Sequence, residues 1–246
     1  AAGITLFSSP FDSSAVDFLD DLGAPAYKIA SFEMLDFKLV EYAASKGKPI
    51  IISTGMANLS EITMLYEFLQ QKKFLDFSIL HCVSGYPAEP KEYSLQNIAD
   101  MSERFNCPIG LSDHTLSNVT AVVGIAMGAS IIEKHFTMSR SDGGVDSEFS
   151  LEPIELASLC QETKIAWEAR GQVDYEQKES EEGNVQFRRS LYLVKDIKAG
   201  QTLSAEHIRS IRPGYGLPPY MFDNVVGKEM LRDVKAPAAL EWGMFV

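Results

Sequence analysis

The chain has 246 residues, 46% of them hydrophobic, and a formal net charge of −12. This length allows one large domain, or one large and one small, with enough apolar residues for a real core. The acidic excess argues against nucleic-acid binding, which needs basic residues to neutralise phosphates. No apolar run approaches the length of a membrane span. The three cysteines have no CxxC pairing, so we expect free thiols in a cytoplasmic protein.

Six strand–helix units follow one another in the first 170 residues. Each predicted strand is a short apolar run, followed by an amphipathic segment with a capping residue or a glycine stop. Consecutive βα units imply an α/β fold with a parallel sheet that is covered on both faces. The strands are expected at 4–7, 26–30, 49–52 and 78–82, and in the two runs that end near residues 114 and 135.

The ends of these strands carry polar residues, which favours a (β/α)₈ or TIM barrel, because such barrels keep their functional residues there. An open doubly wound sheet is the alternative, but the sequence lacks its glycine-rich ligand motifs. Six units are two fewer than a closed barrel needs. We therefore expect the two N-terminal βα units to lie before Ala1, with incomplete pairing of the strands near residues 4 and 109.

The pattern changes after residue 170. Residues 171–187 are rich in Gly, Gln, Asn and acidic side chains, which is typical of a linker. Beyond them, short alternating runs and turn residues indicate a small second domain. The predicted organisation is a partial barrel domain at 1–170, a linker at 171–187 and a small C-terminal domain at 188–246.

His114 and His135 each end a predicted strand. Neighbouring parallel strands lie about 4.8 Å apart, so the two imidazoles should converge. A lone strand histidine is usually structural, but two on consecutive strand ends indicate a shared metal site of the open type, completed by water, a carboxylate or substrate. Glu133 has the strand parity of His135 and should point inward, whereas Lys134 should point outward as a solvated or helix-facing charge.

Lys28 lies within an apolar strand, where an unpaired ammonium is costly to bury. If it points into the barrel, it requires an anion. Hydroxyls near one lysine can form a cradle for phosphate or carboxylate, although each alone is an ordinary turn residue. Glu33 is a candidate general base or sugar ligand, and equally a favourable charge at a helix N-terminus. The candidate hydroxyls are those of Ser9, Ser31, Ser53, Ser84 and Ser112.

Eight short motifs resemble those of the sialic acid synthase family, in chain order. The resemblance implies a TIM barrel followed by an antifreeze-like (SAF) domain. It also implies condensation of phosphoenolpyruvate with an N-acetylated amino sugar, giving a nine-carbon sialic-type acid and phosphate. The motifs are FSSPF (7–11), YKIASFE (27–33), ISTGM (52–56), HCVSGYP (81–87), GLSDHT (110–115) and EKHFT (133–137), with RRSLY (188–192) and RPGYG (212–216) for the SAF domain.

Within the family, GVDSEFSLEP at 144–153 is most similar to the branch that makes pseudaminic acid. That similarity implies 2,4-diacetamido-2,4,6-trideoxy-altrose as the sugar. The branches that make N-acetylneuraminate and legionaminate are the alternatives.

The resemblance also implies roles for individual residues. His114 and His135 match ligands of a divalent metal, Mn²⁺ or Mg²⁺, and with Glu33 they form the expected catalytic group. Positions that bind phosphoenolpyruvate match Ser9, Lys28, Ser31, Ser53, Ser84 and Ser112. Positions near the sugar match Phe11, Glu33, Tyr86, Asp146 and Arg212, the last supplied by the partner subunit of a domain-swapped homodimer.

Two other function classes are compatible with parts of the pattern. A metal-dependent hydrolase on the same barrel would generally need more histidines, often as an HxH pair, which this sequence lacks. A non-catalytic carbohydrate-binding protein would use the small domain and keep the barrel as a scaffold. Neither a nucleic acid nor a membrane is expected as a partner.

Overall fold

A computed structural model describes residues 3–246, so the first two residues of the predicted domain at 1–170 lie outside the described part. The chain divides into two compact units between Gln172 and Val173. No helix within residues 3–246 combines the length and apolarity needed to cross a membrane.

The described part of the first unit contains five strands and six helices. The strands are β1 (Tyr27–Ile29), β2 (Ile50–Ser53), β3 (Phe77–Cys82), β4 (Ile109–Asp113) and β5 (Ile131–Lys134), and the helices are α1 (Ser13–Asp21), α2 (Phe37–Ser45), α3 (Leu59–Gln71), α4 (Gln96–Arg104), α5 (Asn118–Ala126) and α6 (Pro153–Arg170).

The five strands form one parallel sheet in the order β1-β2-β3-β4-β5. Their apolar residues, such as the Ile-Ile-Ile run that begins at Ile50, are buried or half-buried on both faces of the sheet, as parallel sheets require. Helix α3 begins at a capping box: Asn58 Oδ1 accepts from the Glu61 backbone nitrogen, and the Glu61 carboxylate accepts from the Asn58 backbone nitrogen. Helices and strands share one apolar core, as the α/β prediction requires.

The sheet is curled. A flat sheet would separate β1 and β5 by about 19 Å, four strand spacings, which is too far for two side chains to bridge. Lys28 on β1 and Glu133 on β5 nevertheless form an ion pair of 3.6 Å between Nζ and Oε2. Gly110 on β4 permits close packing of β3 and β5 against it, because a Cβ at this position would lie 2.4 Å from Leu80 and 2.7 Å from the Ile131 oxygen. The inner face of the sheet therefore encloses a concave space, as in a partial barrel.

The prediction of a strand at residues 4–7 is wrong. Ile4 and Leu6 are 82% and 84% exposed, and the only pairing in this region is one parallel bridge from Ser8 to Tyr27. The backbone groups of a strand must be paired along its length with a neighbouring strand. An apolar sequence pattern does not by itself show that such a neighbour exists. The described residues thus contain five parallel strands instead of six. The expected incomplete pairing near residue 109 is also wrong, because β4 has a strand on each side and the outer strands of the sheet are β1 and β5.

The second unit has its own small core. Three antiparallel strands form its sheet in the order β7-β6-β8, and the predicted linker contains a 3₁₀ segment at Glu179–Phe187. The unit contains β6 (Ser190–Leu193), β7 (Ile208–Ile211), α7 (Phe222–Val225) and β8 (Ala238–Ala239). Its buried residues include Leu191, Leu193, Leu203, Ile208, Leu217, Val225, Met230 and Leu240.

Candidate functional site

The strand register brings inward-facing polar side chains together at the C-terminal ends of the strands. Ser112 on β4 is the partner of Cys82 on β3 and of Glu133 on β5. These side chains border a cavity of about 480 Å³. Ten of the predicted site residues line it: Ser9, Phe11, Lys28, Ser31, Ser53, Tyr86, Ser112, His114, His135 and Asp146.

Lys28 supplies a buried cation in the cavity wall. Its Nζ donates to Ser53 Oγ at 2.8 Å and to the Ile29 oxygen at 3.0 Å, and Glu133 lies 3.6 Å away. Burial lowers the pKa of the Lys28 ammonium from its ordinary value, while the Glu133 carboxylate opposes that shift. The ammonium group and the neighbouring hydroxyl therefore form a donor group that can receive an anion.

The two predicted histidines converge as expected. Their ring centroids lie 5.2 Å apart, at an interplanar angle of 66°. His114 is buried, and its Nδ1 lies 2.7 Å from the Val83 carbonyl oxygen. A carbonyl only accepts hydrogen bonds, so Nδ1 carries the proton and Nε2 keeps a lone pair. Burial also lowers the pKa of His114, although the bond to Val83 opposes this, and the neutral imidazole is favoured.

The surroundings of His114 Nε2 fit a metal ligand. Ser112 Oγ is 3.4 Å from this nitrogen, but it donates its only proton to Glu133 Oε1 at 2.7 Å. Fixing Nδ1–H on a backbone carbonyl is the usual way in which a protein orients a metal-binding histidine. His135 Nδ1 lies 3.7 Å from Asp146 Oδ2. Across residues 3–246, no group of three or more His, Cys, Asp or Glu is arranged to enclose an ion.

An aromatic wall borders the histidine pair. The Tyr86 ring lies 4.3 Å from His114 and 5.8 Å from His135, between centroids. Phe149 packs behind both, 5.1 Å from His135 and 5.4 Å from Tyr86. The sequence analysis used Phe149 only as part of the GVDSEFSLEP motif and gave the residue no role of its own.

A group of hydroxyls surrounds Gly55, just past β2. Ser31 Oγ accepts from Gly55 N at 2.9 Å, and a Cβ on Gly55 would lie only 2.0 Å from Ser84 Oγ. In the described part of the chain, Ser84 Oγ and Glu33 Oε2 are the two buried side-chain atoms without a hydrogen-bond partner. Buried polar atoms are normally paired, so each is a candidate contact for a ligand. Neither residue lines the cavity directly.

Two further predictions concern Arg212 and Lys134. Arg212 is exposed in the second unit. Lys134 is among the residues that border the cavity, and of its two expected environments, solvated or helix-facing, the solvated one is wrong. Its side chain is 3% exposed and forms a 2.8 Å ion pair with Asp113, which is 0% exposed. It also donates to the Thr115 oxygen. Burial lowers the pKa of Lys134, and Asp113 opposes that shift.

The chain is similar to several known synthases. Pseudaminic acid synthase from Campylobacter jejuni is 39% identical over 243 residues, 99% of this chain and 71% of that protein. N,N'-diacetyllegionaminic acid synthase from Legionella pneumophila is 34% identical over 245 residues, 98% of this chain and 69% of that protein. A crystal structure of N-acetylneuraminic acid synthetase from Leptospira borgpetersenii, in complex with citrate, superimposes with a TM-score of 0.71 at 37% identity.

That structural match covers 75% of this chain and 65% of the Leptospira chain, so the chain spans slightly less than two thirds of the latter. Family models match nearly the whole sequence. The NeuB family matches residues 1–175 and the SAF domain matches residues 188–246. The chain therefore belongs to the NeuB family and carries a C-terminal SAF domain.

Proposed function

We propose that the protein condenses phosphoenolpyruvate with an N-acetylated amino sugar, forming a nine-carbon sialic-type acid and phosphate. One observation carries the proposal: a buried lysine with hydroxyl partners and two converging imidazoles line the same cavity. The lysine side suits an anionic substrate, and the histidine side suits a divalent ion with a polar substrate. Family membership and the names of the relatives support the same reaction.

The anion-binding side of the cavity is the proposed site for phosphoenolpyruvate. The Lys28 ammonium and the hydroxyls of Ser53 and Ser112 would hold its carboxylate and phosphate, with further donors from Ser9, Ser31 and Ser84. Glu133 holds Lys28 and Ser112 in place. As the methylene carbon of phosphoenolpyruvate bonds to the sugar aldehyde carbon, these donors stabilise the anionic groups throughout. Water then adds to the adjacent carbon, and phosphate departs by C–O cleavage.

The histidine side is the proposed position of the sugar aldehyde. His114 and His135 would hold Mn²⁺ or Mg²⁺, which when bound supplies Lewis-acid polarisation of a carbonyl oxygen. Tyr86 and Phe11 would cover the sugar, and Asp146 and Glu33 would bind its polar groups. Both Tyr86 and Phe11 are well exposed at the cavity rim, where a substrate can reach them.

The sugar is proposed to be the diacetamido-trideoxy-altrose, so the product would be pseudaminic acid. The stretch from Asp146 to Phe149 and the 39% identical relative support this choice. N-acetylneuraminate or legionaminate synthesis is the alternative, because the legionaminic acid synthase is nearly as similar.

Mass spectrometry of the product, with phosphoenolpyruvate and each candidate sugar offered separately, tests the substrate. We expect pseudaminic acid and one phosphate from the altrose. Efficient turnover of N-acetylmannosamine with none of the altrose would refute the substrate. In ¹⁸O-labelled water the label should enter the acid, and label in the phosphate would contradict C–O cleavage.

Substitution of either histidine tests the metal assignment. His114→Ala and His135→Ala should remove most activity and Mn²⁺ binding while leaving the fold, whereas His207→Ala in the second unit serves as the matched control. Full Mn²⁺ affinity and turnover in both variants would exclude the assignment. Binding of sugar without phosphate release in the unmodified protein would instead favour the non-catalytic carbohydrate-binding alternative.

The active assembly is proposed to be a closed (β/α)₈ barrel in a domain-swapped homodimer in the cytoplasm. The curled sheet supports the barrel, and the free cysteines fit a reducing compartment. Arg212 is proposed to reach the sugar of the partner subunit. Mixed dimers of Arg212→Ala and His114→Ala subunits should regain one working site, and mixed dimers without recovered activity would contradict the assignment in trans.

A further inference from the structure

Tyr93 links the backbone on both sides of Asp113. Its side chain is fully buried. The hydroxyl accepts a hydrogen bond from the His114 backbone nitrogen at 2.7 Å and donates to the Ser112 backbone oxygen at 3.3 Å. One phenol therefore uses both its donor and its acceptor capacity on the end of β4. Tyr93 itself does not line the cavity.

Residues 83–93, which follow β3, hold His114 at three points. The His114 ring donates from Nδ1 to the Val83 oxygen at 2.7 Å. Its backbone oxygen accepts from Ala88 N at 3.2 Å, and its backbone nitrogen donates to Tyr93. The position of the imidazole is thus determined by this segment. Among the described residues of the segment, Tyr93 is the one whose side chain forms a hydrogen bond to the His114 backbone.

Tyr93 is in turn fixed from the side away from the cavity. A ring nitrogen of the buried His81 is hydrogen-bonded to the Tyr93 carbonyl oxygen. The two rings meet edge to face, with centroids 6.2 Å apart and an interplanar angle of 84°. The hydroxyl consequently has little freedom to follow any movement of the end of β4.

We infer that Tyr93 is a positioning residue, whose hydroxyl fixes the His114 backbone and thereby aims the imidazole into the cavity. The inference rests on the proposed function, in which His114 binds the divalent ion. It assigns to Tyr93 an effect on ion affinity and turnover that a residue of purely structural importance would not have.

Tyr93→Phe removes the hydroxyl and keeps the ring. Tyr66→Phe is the matched control, because the Tyr66 hydroxyl accepts from the Asn106 backbone nitrogen at 3.2 Å and its ring packs on Phe77 and Phe105, outside the cavity. Mn²⁺ affinity is measured by electron paramagnetic resonance without substrate. The turnover number, KM for phosphoenolpyruvate and melting temperature are measured on the same preparations.

We expect Tyr93→Phe to lose about tenfold or more in Mn²⁺ affinity and kcat, as removal of an outer contact of a metal ligand commonly does. KM for phosphoenolpyruvate should change less, because Lys28 and Ser53 keep their contacts. The control should melt at a similar temperature and retain both quantities. Equal Mn²⁺ affinity and kcat in the two variants would overturn the inference.

Failure of the proposed metal site would be recognisable separately. If the unmodified protein turns over without binding Mn²⁺, the metal assignment fails, and the comparison of kcat between the two variants still decides the role of Tyr93. If Tyr93→Phe does not fold, His81→Gln replaces it in the test. This variant removes the ring that holds the Tyr93 backbone and keeps the Tyr93 hydroxyl. A fall in kcat relative to Tyr66→Phe then supports the inference, and an unchanged kcat overturns it.

Discussion

The buried ion pair between Lys134 and Asp113 gives the strongest prediction about stability. Lys134 Nζ donates to Asp113 Oδ2 at 2.8 Å, and the two side chains are 3% and 0% exposed. Asp113 Oδ1 also accepts from the Thr115 backbone nitrogen at 2.8 Å. Lys134→Met would keep the apolar stem and remove the charge, leaving the Asp113 carboxylate buried without its cation.

The expected loss follows from that burial. Removing one partner of a buried pair costs about 3–5 kcal/mol, because the remaining charge stays desolvated. For a unit of this size, that corresponds to a fall of about 6–20 °C in melting temperature. Adding Asp113→Asn to Lys134→Met removes the uncompensated charge as well, so the double variant should be less destabilised than the sum of the two single variants.

Denaturant unfolding of the four proteins in this cycle measures the coupling. Lys72→Met is the control for loss of a solvated pair, because Lys72 and Glu41 are 45% and 42% exposed, and it should cost about 1 kcal/mol or less. If Lys134→Met were no more destabilising than Lys72→Met, the ion pair would not hold the end of β4 and the reasoning would be refuted.

Three further predictions concern single sites. Gly55→Ala should destabilise the first unit by about 1–3 kcal/mol, the usual cost of overpacking, and should raise KM for phosphoenolpyruvate by displacing the Ser84 hydroxyl. Gly183→Ala, which has no neighbour within 4 Å, should do neither, and equal KM values in the two variants would contradict the role of the hydroxyls around Gly55. Burial raises the pKa of Cys107 to about 11, so iodoacetamide should label it slowly near neutral pH and faster toward pH 11, and labelling as fast as in unfolded protein would oppose this. Arg140 lowers the pKa of Glu155 from 4.5 to about 2, so the contribution of this pair to stability is present above pH 4.5 and lost as pH falls toward 2. Glu155→Gln should therefore flatten the dependence of the unfolding free energy on pH between 4.5 and 2. An unchanged dependence would show that the pair contributes nothing.

Strand topology was sufficient to predict that His114 and His135 converge, because the strand ends of a parallel sheet share one edge. The inward direction of Lys28 was left as a condition, and Phe11, Tyr86 and Asp146 followed only from the family resemblance. Strand parity gave the inward direction of Glu133, and the structure agrees, because its carboxylate meets Lys28 and Ser112.

The features that were missed depend on contacts between residues distant in sequence. Residues 4–7 have a strand-like composition, yet a strand forms only where a neighbouring backbone pairs with it. Parity did not reveal that Asp113 would be buried beside Lys134. Tyr93 and Phe149 are aromatic residues in irregular segments, which usually indicate only core packing.

The Ser112 hydroxyl would couple the proposed anion and cation sites to each other. It has one proton, which it donates to Glu133, while it stands 3.4 Å from His114 Nε2. An anion that accepted this hydrogen bond would change the surroundings of the histidine, and a cation bound to the histidine would change the acidity of the hydroxyl. The two proposed sites would then be thermodynamically linked, and the factor by which one ligand alters the affinity for the other would be the same in both directions.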